Sequence, residues 1–178
     1  MLTFGHGRLT RDELATLLTG AGVESIVDVR RFPGSRNNAA AARGAIEDLA
    51  ADLSIDYRQD ARLGGRRPLN KEQDAASPDT WWEVAAFRAY AHWTRSEEFR
   101  RGLAELVTAA SGRRTAIMCS EAVWWRCHRR IISDIVKVEY DVPVEHLMHN
   151  GRLTEHRVSD GARTGDDGRL VWDDGLSA

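Results

Sequence analysis

The sequence predicts an α/β protein: a single-domain, Rossmann-like, mainly parallel sheet of about five strands flanked by helices, with a C-terminal hairpin or strap. Three observations lead there. Short apolar runs of strand length, such as residues 25–29 and 115–118, alternate with longer segments whose apolar residues recur at helical spacing. The amino-terminal part reads strand, helix, strand, helix, strand, the pattern of parallel strands joined by helical crossovers. The helical segments carry start and stop signals where the apolar period begins and ends.

In chain order, residues 1–4 form a first strand with Gly5-His6-Gly7 as its exit loop. Thr10-Arg-Asp-Glu13 has the spacing of a capping box, and Leu9 and Leu14 fit the hydrophobic staple beside it. Leu14, Leu17, Leu18 and Ala21 then make one apolar face, and Gly20 and Gly22 stop the helix. Residues 25–29 are the second strand. The loop 30–36 that follows holds Pro33-Gly34, a turn signal, and three arginines, Arg30, Arg31 and Arg36, which make it a candidate anion-binding loop. The alanine-rich stretch 39–53, with Ile46, Leu49 and Leu53 on one face, is the second helix, and residues 54–57 are the third strand.

The pattern lapses over residues 58–80. Leu63-Gly-Gly-Arg-Arg67 within it is expected to be functional, and the polar remainder to be a flexible lid or spacer. Residues 81–93 read as a helix by the spacing of Trp81, Val84, Ala85 and Arg88. Ser96 caps another, in which Phe99, Leu103, Leu106 and Val107 face the core up to Gly112. Residues 115–118 are the central buried strand. The helix expected from Trp124 turns Trp124, Cys127, His128, Ile131, Ile132 and Ile135 inward and Arg126, Arg130, Ser133 and Lys137 outward. A last strand spans 144–148, after Pro143. The tail 151–178, with turn signals around Leu170-Val-Trp172, is expected to strap across the domain formed by 1–150.

A chain of 178 residues, 42% hydrophobic, can build one sizeable core. Its formal net charge of -2 argues against nucleic-acid binding by bulk charge and leaves room for a local basic patch. The positive charge is almost all arginine, with Lys71 and Lys137 the only lysines. No export signal and no stretch of membrane-spanning length is evident, so a cytoplasmic protein with no membrane partner is expected. The two cysteines, Cys119 and Cys127, are then expected to be free thiols.

Gly5-His6 after a strand, Asp28-Val-Arg30 with Pro33 and Ser35-Arg36, Leu63-Gly-Gly65, Phe87 with Tyr90-Ala91, and Cys119-x-Glu121 followed by Cys127-His128-Arg129 form an ordered set of motifs. Together with His146-Leu147, Glu155-His156 and Gly168-Arg-Leu170, they resemble the DUF488 family of small bacterial and archaeal proteins. The resemblance implies a fold and a site but no substrate. The chain departs from the family pattern in carrying Val-Trp-Trp between Glu121 and Arg126, where a smaller, proline-containing turn is expected.

If the sheet is parallel, Gly5-His6, Asp28 with Arg30 and Arg31, Tyr57 with Gln59, and Cys119 with Glu121 all fall at carboxyl ends of strands, where open α/β sheets bind ligands. Cys119, before a helix N-terminus and near arginines, is placed where thiolates are stabilised and is the candidate nucleophile, or else a small residue ending a strand. Glu121 or His6 would carry the proton, with Glu121 alternatively capping the turn that follows. Asp28, Arg30, Arg36, Gly64, Gly65, His128 and Arg129 are the candidate substrate-binding residues. Cys127 reads as a packed core thiol. No metal site is expected, because an adjacent Cys127-His128 pair on a helix would point in different directions. Arg126 comes one position too late for a phosphatase or rhodanese cradle. The expected partner is an anionic small molecule, nucleotide-like, acted on by an enzyme. The alternative is a non-catalytic nucleic-acid-binding module using the arginine loops and exposed aromatics. His149 and His156 read as surface residues.

Overall fold

The computed structural model describes residues 1–35 and 37–173. Strands β1 (Leu2–Gly5), β2 (Ser25–Asp28), β3 (Asp56–Gln59), β4 (Thr115–Cys119) and β5 (Glu145–Leu147) are parallel, in the spatial order β3-β2-β4-β1-β5. The five expected parallel strands are therefore present. A sixth, β6 (Leu153–Glu155), pairs antiparallel with β5 at the edge. It was not legible because three residues are too few to show alternation. The tail also forms the hairpin of β7 (Ala162–Thr164) and β8 (Leu170–Trp172).

Among the described residues the α-helices are α1 (Arg11–Gly20), α2 (Ala45–Asp52), α3 (Lys71–Ala75), α4 (Ala85–Trp93), α5 (Glu97–Gly112) and α6 (Arg129–Glu139). The expected capping box opens α1, with both the Thr10 and the Glu13 hydrogen bonds made, and Ser96 accepts the Phe99 N–H at the start of α5. Alternation along the strands splits the interior in two. Phe4, Ile26 and Met118 pack with Leu14, Leu18, Ile46 and Leu49 of α1 and α2. Val27, Ile117 and Cys119 face the other way, toward Tyr90, Leu103, Ile131 and Ile135 of α4, α5 and α6. The connection leaving β1 thus crosses one face toward β2, while that leaving β4 crosses the opposite face toward β5. The β1–β4 border is a topological switch point, and a crevice opens at its carboxyl end.

Four segments depart from expectation in their helical structure. The helix foreseen from Trp81 starts only at Ala85, because the Trp81 N–H is taken by the Trp172 carbonyl of β8 at 2.9 Å and Trp82 packs against Phe87 and Trp172. The polar part of 58–80 carries α3, opened by an Asn70–Gln73 capping box and tied to α4 by an Asp74–Arg88 ion pair at 2.6 Å. The second helix begins at Ala45 after a short 3-10 turn over Ala39–Ala41, because Gly44 at φ +83° interrupts it. The helix foreseen from Trp124 is one 3-10 turn over Trp124–Arg126, then an extended Cys127 (φ −124°, ψ 149°), then α6.

Ser133, expected outside, is buried. The tail covers that flank of α6: Asp134 accepts from Trp172 Nε1 (2.9 Å), the Ser159 N–H (3.0 Å) and His156 Nε2 (2.7 Å). His156 is thereby buried too, not a surface residue. Among the described residues no helix is long and apolar enough to cross a membrane.

Candidate active site

Backbone pairing runs past the strand ends and stiffens the rim. The His6 and Gly7 N–H groups donate to the carbonyls of Cys119 and Ser120, each at 3.0 Å, and the Val29 N–H donates to Met118 at 2.9 Å. Two adjoining cavities of about 850 and 830 Å³ open here, sharing Asn37, Gly65, Arg66, Cys119, Ser120 and His128. The first is also walled by Arg30, Arg31 and Arg43, and no Asp or Glu lines it among the described residues. The second is lined in addition by Glu121, Arg126, Cys127 and His149.

At the floor, Cys119 Sγ lies 3.9 Å and Cys127 Sγ 3.7 Å from His128 Nδ1. Both thiols are free. His128 Nε2 is 3.1 Å from the Val29 carbonyl, which can only accept, so Nε2 carries the hydrogen and the Nδ1 lone pair faces both sulfurs. The convergence of Cys127 and His128 follows from the extended backbone at Cys127; the expected divergence assumed a helix there.

Arg129 does not reach the rim as an anion ligand. It is 1% exposed, and its Nε donates to Cys127 Sγ (3.4 Å), its Nη1 to Thr3 Oγ1 (3.4 Å) and its Nη2 to the Glu121 carbonyl. Among the described residues no carboxylate pairs with it. A buried guanidinium without a counter-charge is costly, and among the described residues Cys127 is the ionisable group that its donors touch. Burial opposes ionisation of Cys127, but the Cys119 thiol and the Arg129 charge outweigh it and make Cys127 the more acidic of the pair. The hydrogen bond shared with Cys127, then burial, push Cys119 up, so it stays a thiol.

Asp28 sits beneath the site. Fully buried, it accepts from the Arg30 backbone N–H (3.0 Å), Nε (2.9 Å) and Nη2 (2.6 Å) and from the Tyr57 hydroxyl (2.9 Å). It positions Arg30, which lines the first cavity. His6 Nδ1 donates to the Gly7 carbonyl at 3.0 Å and its Nε2 faces Arg30 Nη1 at 3.5 Å. Burial lowers its pKa, and it lines neither cavity. Glu121 is exposed at the edge of the second cavity, and its Oε1 accepts the Val123 N–H at 3.3 Å, capping the turn ahead of α6. Arg36 lies outside the described residues.

The glycine pair permits close approach. A Cβ on Gly64 would stand 2.6 Å from the Arg31 backbone nitrogen, and one on Gly65 would stand 2.8 Å from His128 Nδ1. Tyr90 holds this segment through the Leu63 carbonyl (2.5 Å), and Trp93 Nε1 through the Arg62 carbonyl (2.8 Å). Gly65→Ala is therefore expected to displace the imidazole. Unfolding free energy should fall by about 1–3 kcal/mol and the iodoacetamide reaction of Cys127 should slow at least tenfold. A variant with wild-type thiol kinetics would show that the imidazole position does not matter to the thiols.

Arg43 and His149 are among the lining residues that escaped the sequence reading. Arg43 was hidden in an alanine-rich run, and nothing local marked it. His149, read as a surface residue, follows β5; its Nε2 donates to the Gly5 carbonyl at 2.7 Å and it lines the second cavity. The position just after a strand was the available signal. Of the paired tryptophans, Trp124 stacks on His146, ring centroids 3.9 Å apart and planes 9° apart, anchoring the turn, while Trp125 stays exposed.

These features define an α/β protein with a buried Cys-Cys-His cluster at the carboxyl rim of a parallel sheet. The family model for DUF488, a domain of unknown function, matches residues 10–136 of the 178-residue chain. The chain belongs to the DUF488 family. No curated protein and no solved structure matches it.

Proposed function

We propose that this DUF488 protein is an enzyme acting on an anionic, phosphate-bearing substrate, a nucleotide or a nucleic-acid component, at the rim. One observation carries the reading: Cys119 and His128 line a cavity walled by Arg30, Arg31, Arg43 and Arg66 and by no carboxylate among the described residues, and Cys127 lines the adjoining cavity that shares Arg66, Cys119 and His128 with it. Arg30 is already neutralised by Asp28, so Arg31, Arg43 and Arg66 supply the contacts to the anion. The cavity volume suits a nucleotide-sized ligand. Phe32, 64% exposed and lining the same cavity, offers a stacking face for a base. Cys127 is the nucleophile, held ionised by Arg129, with Cys119 as substrate contact and His128 Nδ1 as the proton acceptor beside both. Glu121, at the cavity edge, exchanges a proton with the leaving group or water.

Arg43→Ala combined with Arg66→Ala should weaken binding of nucleoside phosphates at least tenfold in calorimetric titration and reduce its salt dependence. Cys127→Ser should abolish turnover of any phosphate ester found by screening while leaving binding in place. If nucleoside phosphates bind equally well to the wild type and the arginine variant, the anion site is wrong. If turnover survives both Cys127→Ser and Glu121→Gln, the chemistry is wrong. The exposed rings of Phe32 and Trp125 favour one second reading, a non-catalytic nucleic-acid-binding module. Single-stranded RNA or DNA bound through the same arginines without any turnover would select it.

A further inference from the structure

We propose that Cys119, Cys127 and His128 form a binding site for one zinc-class transition-metal ion. The two Sγ atoms and Nδ1 all lie within 4.8 Å of one another, and the sulfur–nitrogen separations are 3.9 and 3.7 Å. Around a tetrahedral ion with metal–sulfur and metal–nitrogen bonds of about 2.3 and 2.0 Å, donor atoms stand roughly 3.5–3.8 Å apart. The sulfur–nitrogen separations here are within a few tenths of an ångström of that range. The donor set, two thiols and an imidazole, is the one that selects zinc and its chemical neighbours over magnesium or calcium.

The surroundings fit the same assignment. Metal-binding histidines give their second ring nitrogen to a carbonyl or carboxylate, which fixes the lone pair on the ligating nitrogen. The Val29 carbonyl does this for His128. Gly65 keeps the approach to Nδ1 clear, since a side chain there would stand 2.8 Å from it. Arg129 donates to Cys127 Sγ at 3.4 Å, an outer contact that orients the sulfur. Three protein donors leave one tetrahedral position open, and all three residues line the second cavity, so that position faces the same space as Glu121 and His149.

Binding a divalent ion requires both sulfurs as thiolates, so loading displaces the remaining thiol proton to solvent. The loaded cluster, two thiolates, a divalent ion and the Arg129 guanidinium, carries one net positive charge, which suits an anion at the open position. The inference stands on the three donors and not on the proposed reaction. Its bearing on that reaction is regulatory: the bound ion withholds the Cys127 sulfur from substrate.

The test is titration of the full chain, stripped with chelator, with Co²⁺ as a spectroscopic substitute for zinc. One equivalent should produce a thiolate-to-cobalt charge-transfer band with tetrahedral visible bands, and Zn²⁺ should erase both. Cys119→Ala and His128→Gln should each weaken binding at least tenfold, with far-UV circular dichroism confirming the fold. Zn²⁺ should protect Cys127 from iodoacetamide in the wild type, and chelator should restore its reaction, a readout that needs no variant. Absence of the charge-transfer band, wild-type cobalt affinity in the Cys119→Ala variant, or unimpeded alkylation of Cys127 in the zinc-loaded protein would each overturn the assignment. Failure of nucleoside phosphates to bind removes the proposed substrate and leaves the cobalt result standing. Arg43→Ala with Arg66→Ala should leave cobalt binding unchanged.

Discussion

Asp28→Ala is expected to destabilise the protein by about 3–5 kcal/mol, because it strips a buried guanidinium of its counter-charge. Asp28 and Arg30 are both buried, and the Tyr57 hydroxyl also loses its acceptor. For a chain of this size the melting temperature should fall by roughly 6–20 °C. Urea denaturation of Asp28→Ala and of the double variant Asp28→Leu, Arg30→Met separates the causes. The double variant leaves no unpaired charge at this pair and should recover most of the loss. A single variant within 1 kcal/mol of the wild type would mean that water or a neighbouring group already compensates Arg30.

Acid should weaken the fold well before the carboxylates titrate. Burial first, then the charges of His156 and Arg129, bring the His146 pKa down to about 3. His146 Nε2 lies 2.9 Å from His156 Nδ1, and its Nδ1 lies 2.8 Å from Thr3 Oγ1. The folded state keeps this imidazole neutral, whereas the unfolded chain protonates it near pH 6.5. Below that pH the unfolded state binds more protons, so the stability held above pH 6.5 is lost progressively toward pH 3, on the order of 3–5 kcal/mol in total from this group. Burial depresses His6 in the same direction. Urea midpoints between pH 7 and pH 4.5 should fall with pH, and His146→Gln should flatten that slope. An unchanged slope in the variant would assign the acid sensitivity to other groups.

The rim was legible because each of its signals is local. The Thr10–Glu13 cap, the apolar runs at residues 25–29 and 115–118 and the turn residues between them depend on neighbours a few positions away. A parallel sheet then places Gly5-His6, Asp28 and Cys119 at one end without further information. The roles within that rim were less legible. Asp28 was grouped with the substrate contacts, yet it is fully buried and engaged by Arg30 and by the Tyr57 hydroxyl of the neighbouring strand β3. Arg129 was placed at the rim, yet its donors point down to Thr3, Cys127 and the Glu121 carbonyl.

By itself the sequence determined the α/β class, the strand and helix alternation and the gathering of its motifs at the carboxyl ends of the strands. Those properties follow from periodicity and capping, which act over a few residues. Only the tertiary structure decided that Cys127 is extended, so that two sulfurs and an imidazole converge, that Arg43 and His149 join the walls, and that the tail buries Ser133, Asp134 and His156. Each of these turns on contacts between segments far apart in the chain. The Trp81 N–H committed to β8, and Trp172 Nε1 and His156 reaching Asp134, are such contacts, and no short-range pattern encodes them.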